Sequence, residues 1–456
     1  MHMSGDPADS PNARPPSTAD IDSDDASGVV AVAEGLPGAR DAAADDAAAG
    51  STESSPITPL LVPRDGDVRP VVDPARLAEW ARRLGQGSGP VALDAERASG
   101  YRYGSRAYLV QLRRADVGTA LFDPIALGDL AILDAPLAGS EWVLHAANQD
   151  LPCLAEIGMR PRTLFDTELA GRLAGLPRVG LGPLVEQMLG LGLAKGHGAA
   201  DWSNRPLPPA WLTYAALDVE VLIELRDAME ELLDSQGKLD WARQEFAAIV
   251  AAPPTPPRVD PWRRTSGIHK LRDPRVLSIV RELWLARDNI ARRRDLAPHR
   301  VLPDTAIVAA ASARPATADA LVALPVFAGR IQRRQSATWW DAIRRAMALP
   351  AADLPPTTLP GDGPPPPAKW AVKDPKAAAR LAAARAALAV ISARVETPVE
   401  NLISPDLVRR TMWSPPDGPD LREWLRAGGA RPWQIDLTAD DLRGALDAGI
   451  PQVTGQ

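Results

Sequence analysis

Two proline-rich segments divide this chain of 456 residues, and they constrain its fold more than any other feature. Five prolines fall within residues 250–262, and a second cluster within residues 350–368 ends in the run Pro364–Pro367. Because proline lacks an amide hydrogen and has a fixed φ, neither segment can form interior helix or sheet. We predict linkers at residues 251–263 and 349–368. They separate blocks at residues 57–250, 264–348 and 369–450.

The first 56 residues differ in composition from the rest of the chain. They contain eleven acidic residues and two arginines, a net charge of −9, with almost no aromatic side chains. A segment of this kind cannot bury enough apolar surface to offset the entropy lost on ordering. We therefore predict a disordered acidic tail over residues 1–56.

Basic charge is concentrated in the middle block. The whole chain carries a net charge of −7, but residues 264–347 contain sixteen Lys and Arg against seven Asp and Glu. A basic module on a nearly neutral body can bind a polyanion such as a nucleic acid. The alternative is an arginine-rich helical surface that is simply solvated.

The metal-ligating side chains available are mostly carboxylates. A single cysteine, Cys153, excludes an intramolecular disulfide and a cysteine-cluster zinc site, and only five histidines are present. One cysteine suits a reducing compartment, and the N-terminus shows no secretory pattern. No apolar run reaches the roughly 18 residues of a membrane span. We expect a cytoplasmic protein without membrane association and find no sign of an obligate protein partner.

Residues 58–237 alternate between strand-like and helical patterns, which predicts an α/β fold. The other two blocks are helical and resemble diverged copies, since Pro298 and Pro398 precede similar apolar patterns. Asp304 and Asp406 are predicted N-caps there. The predicted strands cover residues 91–93, 108–112, 120–122, 142–145 and 164–165, and the predicted helices begin with one from residue 154 and include 167–173, 184–191 and 209–233.

Three short patterns place carboxylates at the ends of apolar segments. Asp94 and Glu96 follow the Val-Ala-Leu strand and project from the same face, where Mg²⁺ or Mn²⁺ could neutralise them. Asp150 follows a second apolar strand. Tyr214 and Asp218 are four residues apart on one face of a predicted helix. Each pattern also has a simpler explanation: two solvated acids, a helix N-cap and a surface Tyr–Asp contact.

The order of the three patterns resembles the exonuclease motifs of the DEDD family, in the subclass that carries a tyrosine. Two further segments resemble the ribonuclease D branch: Asp201-Trp202-Ser203 with Arg205-Pro206-Leu207, and the helical block containing Leu283-Trp284 and Arg287-Asp288. The second segment is similar to an HRDC domain. The resemblance covers about residues 57–450. It implies a ribonuclease H-like α/β exonuclease domain at 57–250, followed by all-α HRDC-type domains at 264–348 and 369–450.

The resemblance also implies a mechanism and a set of site residues. Two divalent ions, Mg²⁺ or Mn²⁺, would be held by the four carboxylates, with Asp94 bridging both, Glu96 and Asp218 completing one site and Asp150 serving the other. Tyr214 would orient the attacking water. RNA, such as a tRNA precursor or another small structured RNA, would be shortened from its 3′ end to 5′-mononucleotides.

Six further residues are predicted to contact the RNA. Lys195, Trp202 and Arg205 precede the tyrosine motif, and Arg292, Arg293 and Arg294 form a cluster in the basic block. Two alternatives remain at this point. The substrate could be DNA rather than RNA, or the chain could be a non-catalytic RNA-binding protein.

Overall fold

The computed structural model describes residues 57–448, apart from residues 67, 195, 360–362, 417 and 419. The predicted acidic tail, residues 1–56, lies outside the described residues. Within the described part, every helix is too short or too polar to cross a bilayer.

A mixed sheet forms the centre of the first block. The strands of this block are β1 (Thr58–Leu60), β2 (Pro70–Val71), β3 (Val91–Arg97), β4 (Ala107–Arg114), β5 (Gly118–Phe122), β6 (Glu141–Leu144), β7 (Thr163–Asp166) and β8 (Leu191–Leu193). The strand order of the sheet is β2-β5-β4-β3-β6-β7, while β1 and β8 pair separately as a parallel ribbon. β3 lies between the antiparallel β4 and the parallel β6.

β3 is central in the sheet and therefore begins with an apolar run. Val91, Ala92 and Leu93 are fully buried, and the polar residues begin at Asp94. Since parallel strands place ligands beyond their carboxyl ends, this transition marks the edge of the sheet where a site can form. Phe122 lies in the core of the same sheet, and Cys153 is a buried free thiol on the helix that follows β6.

Nine α-helices of the described chain belong to the first block, and they divide one helix that the sequence predicts as continuous. The helix predicted over 209–233 is interrupted at Val221. The buried Glu220 beside the break lies 3.4 Å from Arg113 and 3.5 Å from Arg64, a long-range contact that periodicity does not reveal. The helices are α1 (Pro74–Gln86), α2 (Pro124–Leu127), α3 (Asp134–Leu137), α4 (Leu151–Glu156), α5 (Thr167–Leu173), α6 (Leu181–Leu189), α7 (Pro209–Glu220), α8 (Leu222–Ser235) and α9 (Leu239–Ala251).

The second block has its own apolar core around the fully buried Trp339. The predicted N-cap at Asp304 is wrong: Pro303 occupies the cap position. The Asp304 carboxylate instead accepts a hydrogen bond from the Ser266 amide at 2.7 Å and pairs with Arg287 at 2.5 Å. The helices are α10 (Pro274–Arg294), α11 (Pro298–Val301), α12 (Asp304–Ala313), α13 (Ala318–Val322), α14 (Arg330–Arg334) and α15 (Ser336–Ala348).

The third block shares a core with the first. Trp433 stacks on Trp241 of α9 with ring centres 4.8 Å apart, and both belong to the apolar cluster of the sheet. The predicted N-cap at Asp406 is wrong, because Ser404 holds that position and Asp406 pairs with Arg410 at 2.7 Å. The helices are α16 (Trp370–Lys373), α17 (Pro375–Val395), α18 (Val399–Leu402), α19 (Pro405–Trp413), α20 (Leu421–Ala427) and α21 (Pro432–Asp447).

Candidate active site

A cavity of ≈ 660 Å³ opens at the carboxyl end of β3. Its lining includes all five residues of the three sequence patterns, contributed by β3, by the turn after β6 and by α7. A volume of this size is typical of pockets that hold small ligands. The residues concerned are Asp94, Glu96, Asp150, Tyr214 and Asp218.

Three carboxylates converge inside this cavity. Oxygen atoms of Asp94, Glu96 and Asp218 all lie within 4.8 Å of one another. Asp94 and Glu96 share a face because they are two residues apart on β3, and α7 packs across the sheet with Asp218 directed to the same point. Hard divalent cations bind such oxygen clusters, so the arrangement is compatible with a divalent metal ion.

Asp150 approaches the cluster from the turn between β6 and α4. It occupies the N-cap position of α4 but makes no capping hydrogen bond. One of its buried oxygens, Oδ1, accepts no hydrogen bond among the described residues, although Arg97 Nη2 lies 3.4 Å away. The simpler interpretation of Asp150 as an N-cap is therefore not supported.

Asp166, which the sequence patterns did not include, shapes the turn that presents Asp150. Its carboxylate accepts hydrogen bonds from the amides of Ala146 and Ala147 at 3.1 and 2.9 Å. Ala146 adopts a left-handed conformation with φ of 58°. The position of Asp166 between an apolar strand and a helix is the sequence signal that could have identified it. That position also makes Asp166 the N-cap of α5.

Without a bound cation, the pKa values of the four carboxylates of the site are all raised. Burial, together with the charge of Asp94, raises the pKa of Glu96 to about 9 and that of Asp150 to about 8. Burial likewise raises the pKa of Asp94 and of Asp218 above the ordinary range. Buried like charges carry this cost unless a cation compensates them, which again is compatible with a metal site.

Tyr214 and His145 also line the cavity, and both are neutral at ordinary pH. Burial and the neighbouring Asp218 raise the pKa of the Tyr214 hydroxyl, while burial lowers the pKa of His145 to about 4. His145 Nδ1 lies 2.9 Å from Thr167 Oγ1, which gives it a structural contact at the strand end.

Two of the residues predicted to contact RNA make internal contacts in the structure. Trp202 is fully buried, and its indole N–H donates to the His197 carbonyl at 3.1 Å. Arg205 forms two hydrogen bonds with Asp123, at 2.6 and 2.8 Å, and also donates to the Tyr108 carbonyl at 2.7 Å. Trp202 is therefore inaccessible to RNA, whereas the RNA contact of Arg205 stays a prediction.

The other predicted RNA contacts divide into three cases. Lys195 lies outside the described residues. Arg292 donates to the Tyr103 hydroxyl at 3.2 Å and pairs with Asp288 at 3.0 Å, so much of its charge is used in an internal contact. Arg293 and Arg294 are exposed at the end of α10.

Known families match each of the three blocks. Residues 68–234 match the family described as 3′-5′ exonuclease. Residues 276–343 match the HRDC domain, and residues 363–446 match the 3′ to 5′ exonuclease C-terminal domain. The predicted fold class, an α/β exonuclease domain followed by helical domains, is confirmed.

Curated relatives carry the name ribonuclease D. The protein from Granulibacter bethesdensis is 34% identical over 274 residues, which is 58% of this chain and 68% of the relative. The protein from Gluconacetobacter diazotrophicus is 32% identical over 317 residues, which is 68% of this chain and 77% of the relative.

Solved structures share the architecture. A protein from Bifidobacterium adolescentis is 36% identical with a TM-score of 0.80, over 86% of this chain and 99% of its own. Escherichia coli RNase D, titled an exoribonuclease involved in structured RNA processing, is 24% identical with a TM-score of 0.61, over 83% of this chain and 98% of its own. At that identity the second likeness concerns the fold alone.

Proposed function

The chain belongs to the ribonuclease D family and is a 3′-5′ exoribonuclease, and from this premise we propose how it cleaves RNA. In the proposed reaction, water attacks the phosphodiester next to the 3′-terminal nucleotide, and each turnover releases one 5′-mononucleotide. The observation that carries the proposal is the convergence of carboxylate oxygens from Asp94, Glu96 and Asp218 within 4.8 Å.

Two divalent cations, Mg²⁺ or Mn²⁺, fit the chemistry of this site. The ligand set is made of carboxylates, and an oxygen of Asp150 accepts no hydrogen bond among the described residues. Asp94, Glu96 and Asp218 would hold one ion, and Asp94 and Asp150 the other. When bound, such a pair lowers the pKa of the attacking water and stabilises the leaving oxygen.

Tyr214 is proposed to orient the attacking water rather than to deprotonate it. The raised pKa of its hydroxyl keeps the phenol protonated, so it can donate or accept a hydrogen bond but cannot serve as a base at neutral pH. Its place one helical turn before Asp218 supports this role, because the hydroxyl and the carboxylate then face the same cavity.

The substrate is proposed to be the 3′ end of a tRNA precursor or another small structured RNA. Arg293 and Arg294, exposed on the basic second block, would contact the RNA backbone away from the cleaved end. The proposed compartment is the cytoplasm, since Cys153 is a free buried thiol.

The test compares matched RNA and DNA oligonucleotides, labelled at the 5′ end, in Mg²⁺ and in Mn²⁺. We expect stepwise shortening of RNA from the 3′ end with release of 5′-mononucleotides. Asp94→Asn should abolish release and retain RNA binding, whereas Asp129→Asn, an exposed carboxylate outside the cavity, should behave like the wild type. Equal shortening of DNA would favour a DNA exonuclease, and binding without cleavage would favour the non-catalytic alternative.

A tRNA precursor with a 3′ extension tests the substrate proposal. Removal of the extension, with slower loss of nucleotides from the mature 3′ end, is expected. A precursor that remains intact while an unstructured oligoribonucleotide is degraded would contradict the processing role but not the nuclease activity.

A further inference from the structure

Arg97 is the one arginine or lysine among the described residues that line the active-site cavity. Five carboxylates line the same cavity, namely Asp94, Glu96, Asp150, Glu168 and Asp218. The substrate is a polyanion, and Arg97 is the cationic side chain of this described lining that attracts a phosphate.

Arg97 is the last residue of β3 and lies next to a register shift in the ladder with β4. Glu96 is opposite Leu109 of β4, but Arg97 is opposite Ala107, so the extra residue, Tyr108, belongs to β4. The regular ladder between the two strands therefore ends at Arg97. The Arg97 side chain lines the cavity there and contacts the turn between β6 and α4.

The guanidinium of Arg97 is held by hydrogen bonds to Gln149, but not all of its N–H donors are occupied. Nη1 donates to the Gln149 carbonyl at 2.8 Å, and Nη2 lies 3.4 Å from both Gln149 Oε1 and Asp150 Oδ1. The 3.4 Å contact with Asp150 is long for a charged pair, which is typically 2.7–2.9 Å. The side chain is 29% exposed, and Nε makes no hydrogen bond with the described residues. Donors therefore remain available to a ligand in the cavity.

We propose that Arg97 binds a phosphate of the RNA substrate, at the linkage that precedes the cleaved one. This inference rests on the proposed function and deepens it. Arg97 lies beside Asp150, at the rim of the carboxylate cluster, so the phosphate within its reach is the neighbour of the one that the cluster surrounds. A planar guanidinium donates two parallel hydrogen bonds to phosphate oxygens, which lysine cannot do. Without substrate, the same group partly compensates the charge of Asp150.

The test uses the full-length protein and two forms of a short single-stranded oligoribonucleotide. One has ordinary linkages, and the other has an uncharged methylphosphonate at the linkage before the cleaved one. With ordinary RNA, Arg97→Gln should raise KM about tenfold with kcat within about twofold, because the contact is made equally in the bound substrate and the transition state. The slope of log KM against log salt should become shallower by about 0.7, the value for one phosphate on a single strand.

The methylphosphonate separates substrate binding from a structural role. It should raise KM about tenfold for the wild type and leave Arg97→Gln unchanged, since the variant has already lost the contact. The matched control is Arg83→Gln, an arginine that also donates to a main-chain carbonyl, that of Val117 at 3.0 Å, but lies outside the cavity. It should retain the wild-type KM, salt slope and methylphosphonate effect.

Three results would overturn the proposal. The first is a wild-type KM in Arg97→Gln, and the second is an equal methylphosphonate effect in the variant and the wild type. The third is a wild-type protein that leaves ordinary RNA intact, which overturns the proposed function and this inference together. Should Arg97→Gln fail to fold, Arg97→Lys retains the charge, and its KM should rise about threefold through loss of the planar donor pair. A wild-type KM in that variant would overturn the proposal.

Discussion

The hydroxyl of Tyr103 donates a hydrogen bond to Asp288 Oδ1 at 3.0 Å, and so joins two residues that are 185 positions apart. Tyr103 belongs to the loop that follows β3, and Asp288 belongs to α10 of the second block. Two neighbouring contacts reinforce the junction: the Ala297 amide donates to the Tyr101 carbonyl at 3.0 Å, and Arg300 donates to the Gly100 carbonyl at 2.8 Å. The HRDC domain thus holds the loop that continues from the strand bearing Asp94 and Glu96.

Removing the Tyr103 hydroxyl should weaken this junction. Tyr103→Phe leaves the ring in place but deprives Asp288 Oδ1 of its donor and Arg292 of one acceptor. The expected loss of unfolding free energy is about 1 kcal/mol. Urea unfolding followed by fluorescence measures the change. Tyr101→Phe is the matched control, because the Tyr101 hydroxyl makes only a long contact of 3.4 Å with the Ala199 carbonyl. Equal losses in the two variants would contradict the assigned role of the Tyr103–Asp288 bond.

The same junction explains why one sequence-based expectation was incomplete. The cluster Arg292, Arg293 and Arg294 is predicted to bind RNA because local charge is visible in the sequence. One partner of Arg292 is Tyr103, which is 189 positions away, and no local pattern reveals that contact. The burial of Trp202 and the pairing of Arg205 with Asp123 are likewise not visible in the sequence, because both depend on tertiary packing.

The positions of the carboxylates were easier to predict than their surroundings. Asp94 and Glu96 follow an apolar strand, and Tyr214 and Asp218 obey helical spacing, so secondary structure alone orients each pair. The structure brings these pairs to one cavity with Asp150. Arg97 and Asp166 are not predicted, because their roles depend on contacts across the fold with Gln149 and Asp150 and on a left-handed turn at Ala146.

Neutralising a carboxylate of the site should stabilise the metal-free protein. The pKa of Glu96 is raised to about 9 in the folded state, against about 4.3 when unfolded, so between these values the folded state binds more protons. The contribution of Glu96 to the free energy of unfolding is therefore fully present below pH 4.3, and it is lost as the pH rises toward 9. In EDTA at pH 8, Glu96→Gln should be more stable than the wild type by at least about 1 kcal/mol.

Thermal unfolding across pH measures this effect. The gain of Glu96→Gln should shrink as pH falls and disappear near pH 4. Glu168→Gln is the control, because Glu168 lines the same cavity but pairs with Arg172 at 2.6 Å. A destabilised Glu96→Gln at pH 8 in EDTA would show that the Glu96 charge is compensated within the protein, without a cation.

Metal affinity should rise with pH over the same interval. Cations compete with protons for Glu96 and Asp150, whose pKa values are about 9 and about 8 in the metal-free protein. The apparent affinity for Mg²⁺ should therefore increase from pH 6 to pH 9, with protons released on binding. Titration calorimetry in two buffers of different ionisation enthalpy counts these protons. A pH-independent affinity with no proton release would contradict the raised pKa values.

The contact between Trp433 and Glu245 leads to the last prediction, that the exonuclease domain and the C-terminal domain unfold as one unit. The Trp433 indole donates to Glu245 Oε1 at 3.0 Å and stacks on Trp241, and Arg431 pairs with the other Glu245 oxygen at 2.6 Å. Trp433→Ala removes the stack and one donor of a buried carboxylate, which typically costs about 3–5 kcal/mol. Because the apolar cluster is continuous across the contact, β3 and α17 should lose protection together.

Hydrogen exchange measured by mass spectrometry follows both regions in one sample. Peptides from β3 and from α17 should exchange faster by the same factor in Trp433→Ala than in the wild type. Trp424→Ala is the control within the same domain, because Trp424 is 38% exposed and donates to Thr411 rather than to the exonuclease domain. Faster exchange in α17 with unchanged protection in β3 would mean that the exonuclease domain is stable without its C-terminal partner.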